Sequence, residues 1–191
     1  MPLDLTNAVR LLTRDMTKRV AELAHIDTER VAFGFCQTRK AVSHGVQASL
    51  TPLRFEGGAK TKRMRGRLYG CQRLEDGSGR DYLYLLNLYV PRLLDQPFEE
   101  KLTTIVHELW HISPAFDGDL RRHEGRCYVH GRSQREFDEL SASIARAWLA
   151  QDPPRGLYSF LEHSFRELSD LHNGVRGQRF PTPKLVLADA A

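Results

Sequence analysis

Cysteine is scarce in this chain of 191 residues and shows no pattern. Cys36, Cys71 and Cys127 are three, an odd number, with long gaps and no Cys-x-x-Cys pair. That argues against a disulfide framework and against a zinc ribbon, and leaves small buried thiols as the expectation. Long apolar runs are missing too: nothing nears the roughly 18 residues that would cross a membrane. The opening MPLDLTNAVRLL lacks a basic segment followed by an apolar one, so it does not read as a secretory signal. A cytoplasmic protein with no membrane partner is the expectation. Internal repeats and low-complexity tracts are also lacking.

What is present is ordinary for a globular domain: 41% apolar and 27% charged residues, enough to build a core. The net charge is +4, with basic clusters at Lys60, Lys62, Arg63, Arg65 and Arg67 and at Arg121, Arg122, Arg126, Arg132 and Arg135. These suit nucleic acid or an acidic substrate, or equally a solvated face, and no base-reading motif accompanies them.

Apolar residues Val9, Leu12, Met16, Val20 and Leu23 recur at helical spacing and predict a helix over 4–25. Val31, Phe33 and Phe35 alternate as in a strand, and 46–55 reads as extended. Two strands over 62–74 and 82–90 are expected to form a hairpin around Glu75–Gly79. A helix over 98–112 is stopped by Ser113-Pro114, and 116–131 reads as a loop. Ser133 and Glu136 form a capping box that opens a helix running to about Gln151. A last helix is expected over 156–172. From Asn173 on, with Pro181 and Pro183, the chain reads as a tail. The result is an α+β order, one domain over 1–175 and a C-terminal tail over 176–191.

The informative segment is His107-Glu108-Leu109-Trp110-His111. Histidines four apart on a helix share a face, and two imidazoles so placed suit zinc, which prefers nitrogen and sulfur ligands. The residue after the first His projects about 100° away, where a Glu reaches metal-bound water without being a ligand. Chance alone gives about 0.02 such matches at this composition, so placement matters. On a helical projection Phe98, Leu102, Ile105, Val106, Leu109 and Ile112 form one arc. His107 and His111 fall opposite, and Glu108 falls between. A histidine pair outside the apolar arc is free to face a cleft.

A catalytic zinc site takes a third protein ligand and keeps one position for water. Asp117, His123, Glu124 and His130 are in range. Asp117 has the spacing of a longer HExxHxxGxxH motif, but Pro114 stands where the turn glycine belongs. His130, next to the start of a capped helix, is the preferred third ligand, with His123 in the loop as the alternative. Zinc would acidify the water, and Glu108 would act as general base. Tyr128, Arg126 and His123 are candidate donors to the oxyanion.

The stretch HELWHISPAFDGDLRRHEGRCYVHG resembles the phage-type metallopeptidase family of bacteria and phages. The likeness extends to Ser43-His44-Gly45, Pro52-Leu53-Arg54-Phe55 with Gly57-Gly58, and Tyr89-Val90-Pro91-Arg92. It implies a zincin-like metalloprotease domain: a small mixed β-sheet packed against an HExxH active-site helix and flanking helices. It also implies a Zn2+ cofactor, a protein or peptide substrate and, for a phage-encoded member, action in the host cytoplasm. Chains of this kind can carry Phe at the position of His123, which favours His130. His130-Gly131 with Phe137 is distantly similar to an element of SprT-like proteases, with a longer gap and without their zinc ribbon. His44 reads first as a turn residue and, through the family segment, as a second candidate for the cleft. Two other readings remain: a zinc amidase, and a zinc-stabilised, nucleic-acid-associated binding module without turnover. Glu108 favours a hydrolase over the module, because a structural site gains nothing from a base beside its ligands.

Overall fold

A computed structural model describes residues 1–38, 45–122 and 134–188. The chain is α+β. In order it forms β1 (Leu3–Asp4), α1 (Leu5–Arg19), β2 (Val31–Gln37), β3 (Ala48–Pro52), β4 (Thr61–Met64), β5 (Arg67–Cys71), β6 (Tyr84–Val90), α2 (Phe98–Trp110), α3 (Gln134–Leu149), α4 (Phe165–His172), β7 (Val175–Arg176) and β8 (Leu185–Leu187). No helix among the described residues is long and apolar enough to cross a membrane.

The central sheet has the order β2-β6-β3, with β2 parallel and β3 antiparallel to β6. β2 is buried from Val31 through Phe35 rather than on alternate residues, because both faces of the sheet are covered. On one face Phe33, Tyr84, Leu86 and Leu88 join Val9, Leu12 and Met16 of α1, Ile105 and Leu109 of α2, and Ile144 and Trp148 of α3. On the other face Ala32 and Leu85 meet Leu53 and Leu74, with Tyr82 and Phe180 packed alongside. Gly34 sits directly opposite Asn87, and a Cβ there would displace the Asn87 side chain.

α1 begins at Asp4, whose carboxylate accepts from the Asn7 amide at 3.0 Å, and it ends at Arg19, earlier than the apolar period predicts. Val20 turns extended, and Ala21–Leu23 form a separate 3-10 turn that still buries Leu23. α2 and α3 lie close to their expected spans. The expected capping residue Ser133 lies outside the described residues.

Further expectations differ from the structure. The span 62–74 is two strands: β4 and β5 form a tight hairpin of their own, turning at Arg65-Gly66. The turn after Glu75 closes only a single bridge, Glu75 to Asp81, and β5 and β6 belong to different sheets. The apolar span 156–172 is broken into 3-10 turns at Arg155–Leu157 and Ser159–Glu162, followed by α4. The cause is competition for backbone groups that a continuous helix would need. Buried Lys101 donates to the Leu161 and His163 carbonyls at 2.9 and 2.7 Å. Ser164 and Glu167 form a complete capping box that restarts the helix.

The expected tail is laid into the fold. β7 pairs parallel with β1, the Gln178 carbonyl accepts from the Phe35 amide at 2.7 Å, and β8 pairs with β5.

Lys101 thus ties α2 to the segment before α4. Lys101→Ala would leave two carbonyls without their donor, so we expect a loss of about 2–3 kcal/mol in urea unfolding. A change under about 0.5 kcal/mol would show that water replaces the ammonium without cost.

Candidate functional site

α2 starts at Pro97, with Glu99 and Glu100 in its first turn, where negative charge suits the helix dipole. Its buried arc holds Leu102, Ile105, Val106 and Leu109, as the projection requires. The opposite side is not solvated. α3 packs across it and sets Phe137, 4% exposed, against both imidazoles. The Phe137 ring lies 4.7 Å from His107 in an edge contact and 4.7 Å from His111 in a stacked one.

His107 Nε2 and His111 Nε2 lie 3.1 Å apart, so both rings direct the same nitrogen to one point. Ligands about 2.0–2.1 Å from a tetrahedral ion stand roughly 3.3 Å from each other. The pair therefore fits a shared ion of that size with little movement. On the far side of its ring, His107 Nδ1 meets Asp138 Oδ1 of α3 at 3.0 Å. A carboxylate partner calls for the proton on Nδ1 and leaves the Nε2 lone pair directed at the shared point. His111 is 6% exposed and caps α2 in helical conformation.

Glu108 is 9% exposed. Burial pushes its carboxyl up to about 7, opposed by a hydrogen bond from the Leu50 amide. Leu50 belongs to β3, the outer strand of the central sheet. Alongside lies a cavity of about 530 Å³, bordered by Gln47 just before β3 and Ala48 at its start, Glu100, Thr104 and Glu108 of α2, and Ala142 of α3.

The chain leaving α2 is held firmly. Tyr84 Oη donates to the Asp119 carbonyl at 2.8 Å and accepts from the Gly118 amide at 2.9 Å. Arg121 donates its amide to the His111 carbonyl at 2.7 Å and its Nε to the Trp110 carbonyl at 2.8 Å. Its guanidinium stacks 3.6 Å from the Trp110 ring. Asp119 accepts from Arg122 at 2.8 and 3.0 Å, and the Arg122 guanidinium holds its carboxyl below the usual range.

His107, Glu108 and His111 are brought together as expected. Asp117 is not part of the group: its carboxylate accepts from the Asp119 amide at 3.1 Å and borders Gly58, so it shapes its own turn. His123, Glu124, Arg126, Tyr128, His130 and His44 lie outside the described residues. Among the described residues no three His, Cys, Asp or Glu side chains form a ready metal cluster. The sequence reading missed Asp138. Its only signal was a carboxylate next to Phe137 on the helix expected to face the pair.

The raised Glu108 value has a consequence for stability. Its folded value, about 7, lies above the ordinary value of 4.5, so the folded chain binds more protons between those pH values. In metal-free protein, stability should fall as pH rises from about 4.5 to 7, by roughly 2–4 kcal/mol. Glu108→Gln should remove most of this slope in urea midpoints taken at pH 5 and 8 with chelator present. An identical slope in the variant would show that Glu108 is not the group responsible.

No family model, no curated protein and no solved structure matches this chain, so the site is read from its own geometry and chemistry.

Proposed function

We propose that the chain is a zinc-dependent metallopeptidase with a zincin-like domain, in which Glu108 is the general base. The observation that carries this reading is the convergence of His107 Nε2 and His111 Nε2 at 3.1 Å beside a buried carboxylate. The donor set fits zinc: two imidazoles, one oriented through Nδ1 by a carboxylate. His107 and His111 would hold the ion, with His130 as third ligand and His123 as the alternative. When bound, the ion acidifies a water and polarises a carbonyl.

The protein's own groups do the rest. Glu108, buried beside the imidazoles, accepts a proton from the attacking water and returns it to the leaving amine. Phe137 excludes solvent from one side of the imidazoles. β3 ends the central sheet, and its outer edge borders the cavity through Gln47 and Ala48. An extended peptide laid there finds backbone partners. Leu50 already spends its amide on Glu108, which keeps the carboxylate at that edge. A peptide substrate is favoured over other amides because an extended backbone matches a strand edge.

Glu108→Gln should leave zinc content unchanged and lower casein hydrolysis at least 100-fold. Asp138→Asn should weaken zinc affinity about 10- to 100-fold, read by chelator competition. Hydrolysis that survives both Glu108→Gln and removal of zinc would overturn the proposal.

A further inference from the structure

The hairpin of β4 and β5 plays no part in the site above, and its charge is one-sided. From Gly57 to Leu74 the chain has six basic residues and no acidic one. From Leu171 to Ala188 it has three more, Arg176, Arg179 and Lys184, again with no acidic residue. These stretches are a hundred residues apart in sequence. The structure joins them: β8 pairs with β5 through Tyr69–Leu187, Gly70–Val186 and Cys71–Leu185. Together they hold nine of the chain's 28 basic residues and none of its 24 acidic ones, so the remainder of the chain is net negative.

The charges are available. Lys60, Lys62, Arg63, Arg65 and Arg67 are all exposed, and none forms an ion pair among the described residues. Lys62 stands opposite Tyr69 and Met64 opposite Arg67, so Lys62, Arg67 and Tyr69 share one face of the ribbon. The tip is unusual. Arg65 and Gly66 both have positive φ, 48° and 79°, the conformation of a two-residue turn that favours Asn-Gly. An arginine there is strained relative to asparagine, yet it places a cation at the end of the ribbon.

We propose that the β4–β5 ribbon is a docking surface for double-stranded DNA. Exposed cations of β4, of β5 and of the turn between them, without ion pairs among the described residues, lie toward the β4 edge of the three-stranded β4-β5-β8 sheet, where a row of cations meets the phosphates of a duplex backbone. Duplex DNA is favoured over an acidic protein because Lys62, Arg63, Arg65 and Arg67 are spread along both strands and their turn, as the regular phosphate spacing of a duplex requires. The ribbon's root is joined to the segment after α2: the Gly57 amide donates to Asp119 Oδ2 at 3.1 Å. DNA on the ribbon is thus held next to the loop that leaves the candidate site, independently of what that site hydrolyses.

The test is fluorescence anisotropy with a labelled 20-base-pair duplex between 50 and 200 mM NaCl. We expect binding whose log affinity falls with log salt at a slope of about −4, for four or five phosphates neutralised. The combined variant Lys62→Glu, Arg63→Glu, Arg65→Glu, Arg67→Glu should bind at least tenfold more weakly. Arg14→Glu with Lys18→Glu, exposed on α1, should bind as the wild type does. Arg65→Asn separates docking from turn stability: it should weaken DNA binding severalfold while raising the urea midpoint. No binding at 50 mM salt, equal losses in the ribbon and α1 variants, or unchanged affinity in Arg65→Asn would overturn the proposal. Tighter binding to poly-glutamate than to the duplex would overturn it in favour of an acidic protein.

Discussion

The site depends on α2 being packed on two sides at once. Its apolar arc is committed to the shared core beneath the central sheet, which fixes the rotation of the helix. With that rotation set, His107 and His111 have one direction available, toward α3. There Phe137 takes up the space against their rings, and Asp138 takes the outer nitrogen of His107. Covalent spacing, an apolar wall and the hydrogen bond to Asp138 hold the rings, and the Nε2 atoms come together. Glu108, at the border of the arc, is carried under β3. Its burial costs stability when it is ionised, and the Leu50 amide offsets part of that cost. A group held in a costly state beside converging imidazoles is what a proton-transferring site requires.

The segment that follows α2 is the second constraint. Tyr84 on β6, Asp119 and Arg121 bind it to the end of the helix through backbone groups. The chain therefore leaves His111 in a set direction. His123 and His130 both follow this anchor in sequence, before α3.

Much of this was legible in the sequence because it is local. The 3.6-residue period of α2 separates the histidines from the apolar arc, and Ser113-Pro114 marks where the helix stops. Non-local facts were not legible. β5 and β6 look like a hairpin because they are adjacent strands around a turn, but β6 pairs with β2 and β3, and β5 pairs with β8 near the C-terminus. The break in 156–172 depends on Lys101, some sixty residues earlier, taking carbonyls that a continuous helix would need. Asp138 acquires meaning only from the packing of α3 across α2. The same holds for the basic ribbon, whose charge becomes one surface only when β8 is brought to β5.

The central claim is that His107 and His111 hold a zinc ion. The direct measurement is zinc content by mass spectrometry of purified protein, for wild type, His107→Ala, His130→Ala and His123→Ala. The account predicts about one zinc per chain in wild type, loss in His107→Ala, and a larger loss in His130→Ala than in His123→Ala. A wild type that holds no zinc, after zinc is supplied and the excess dialysed away, would contradict it.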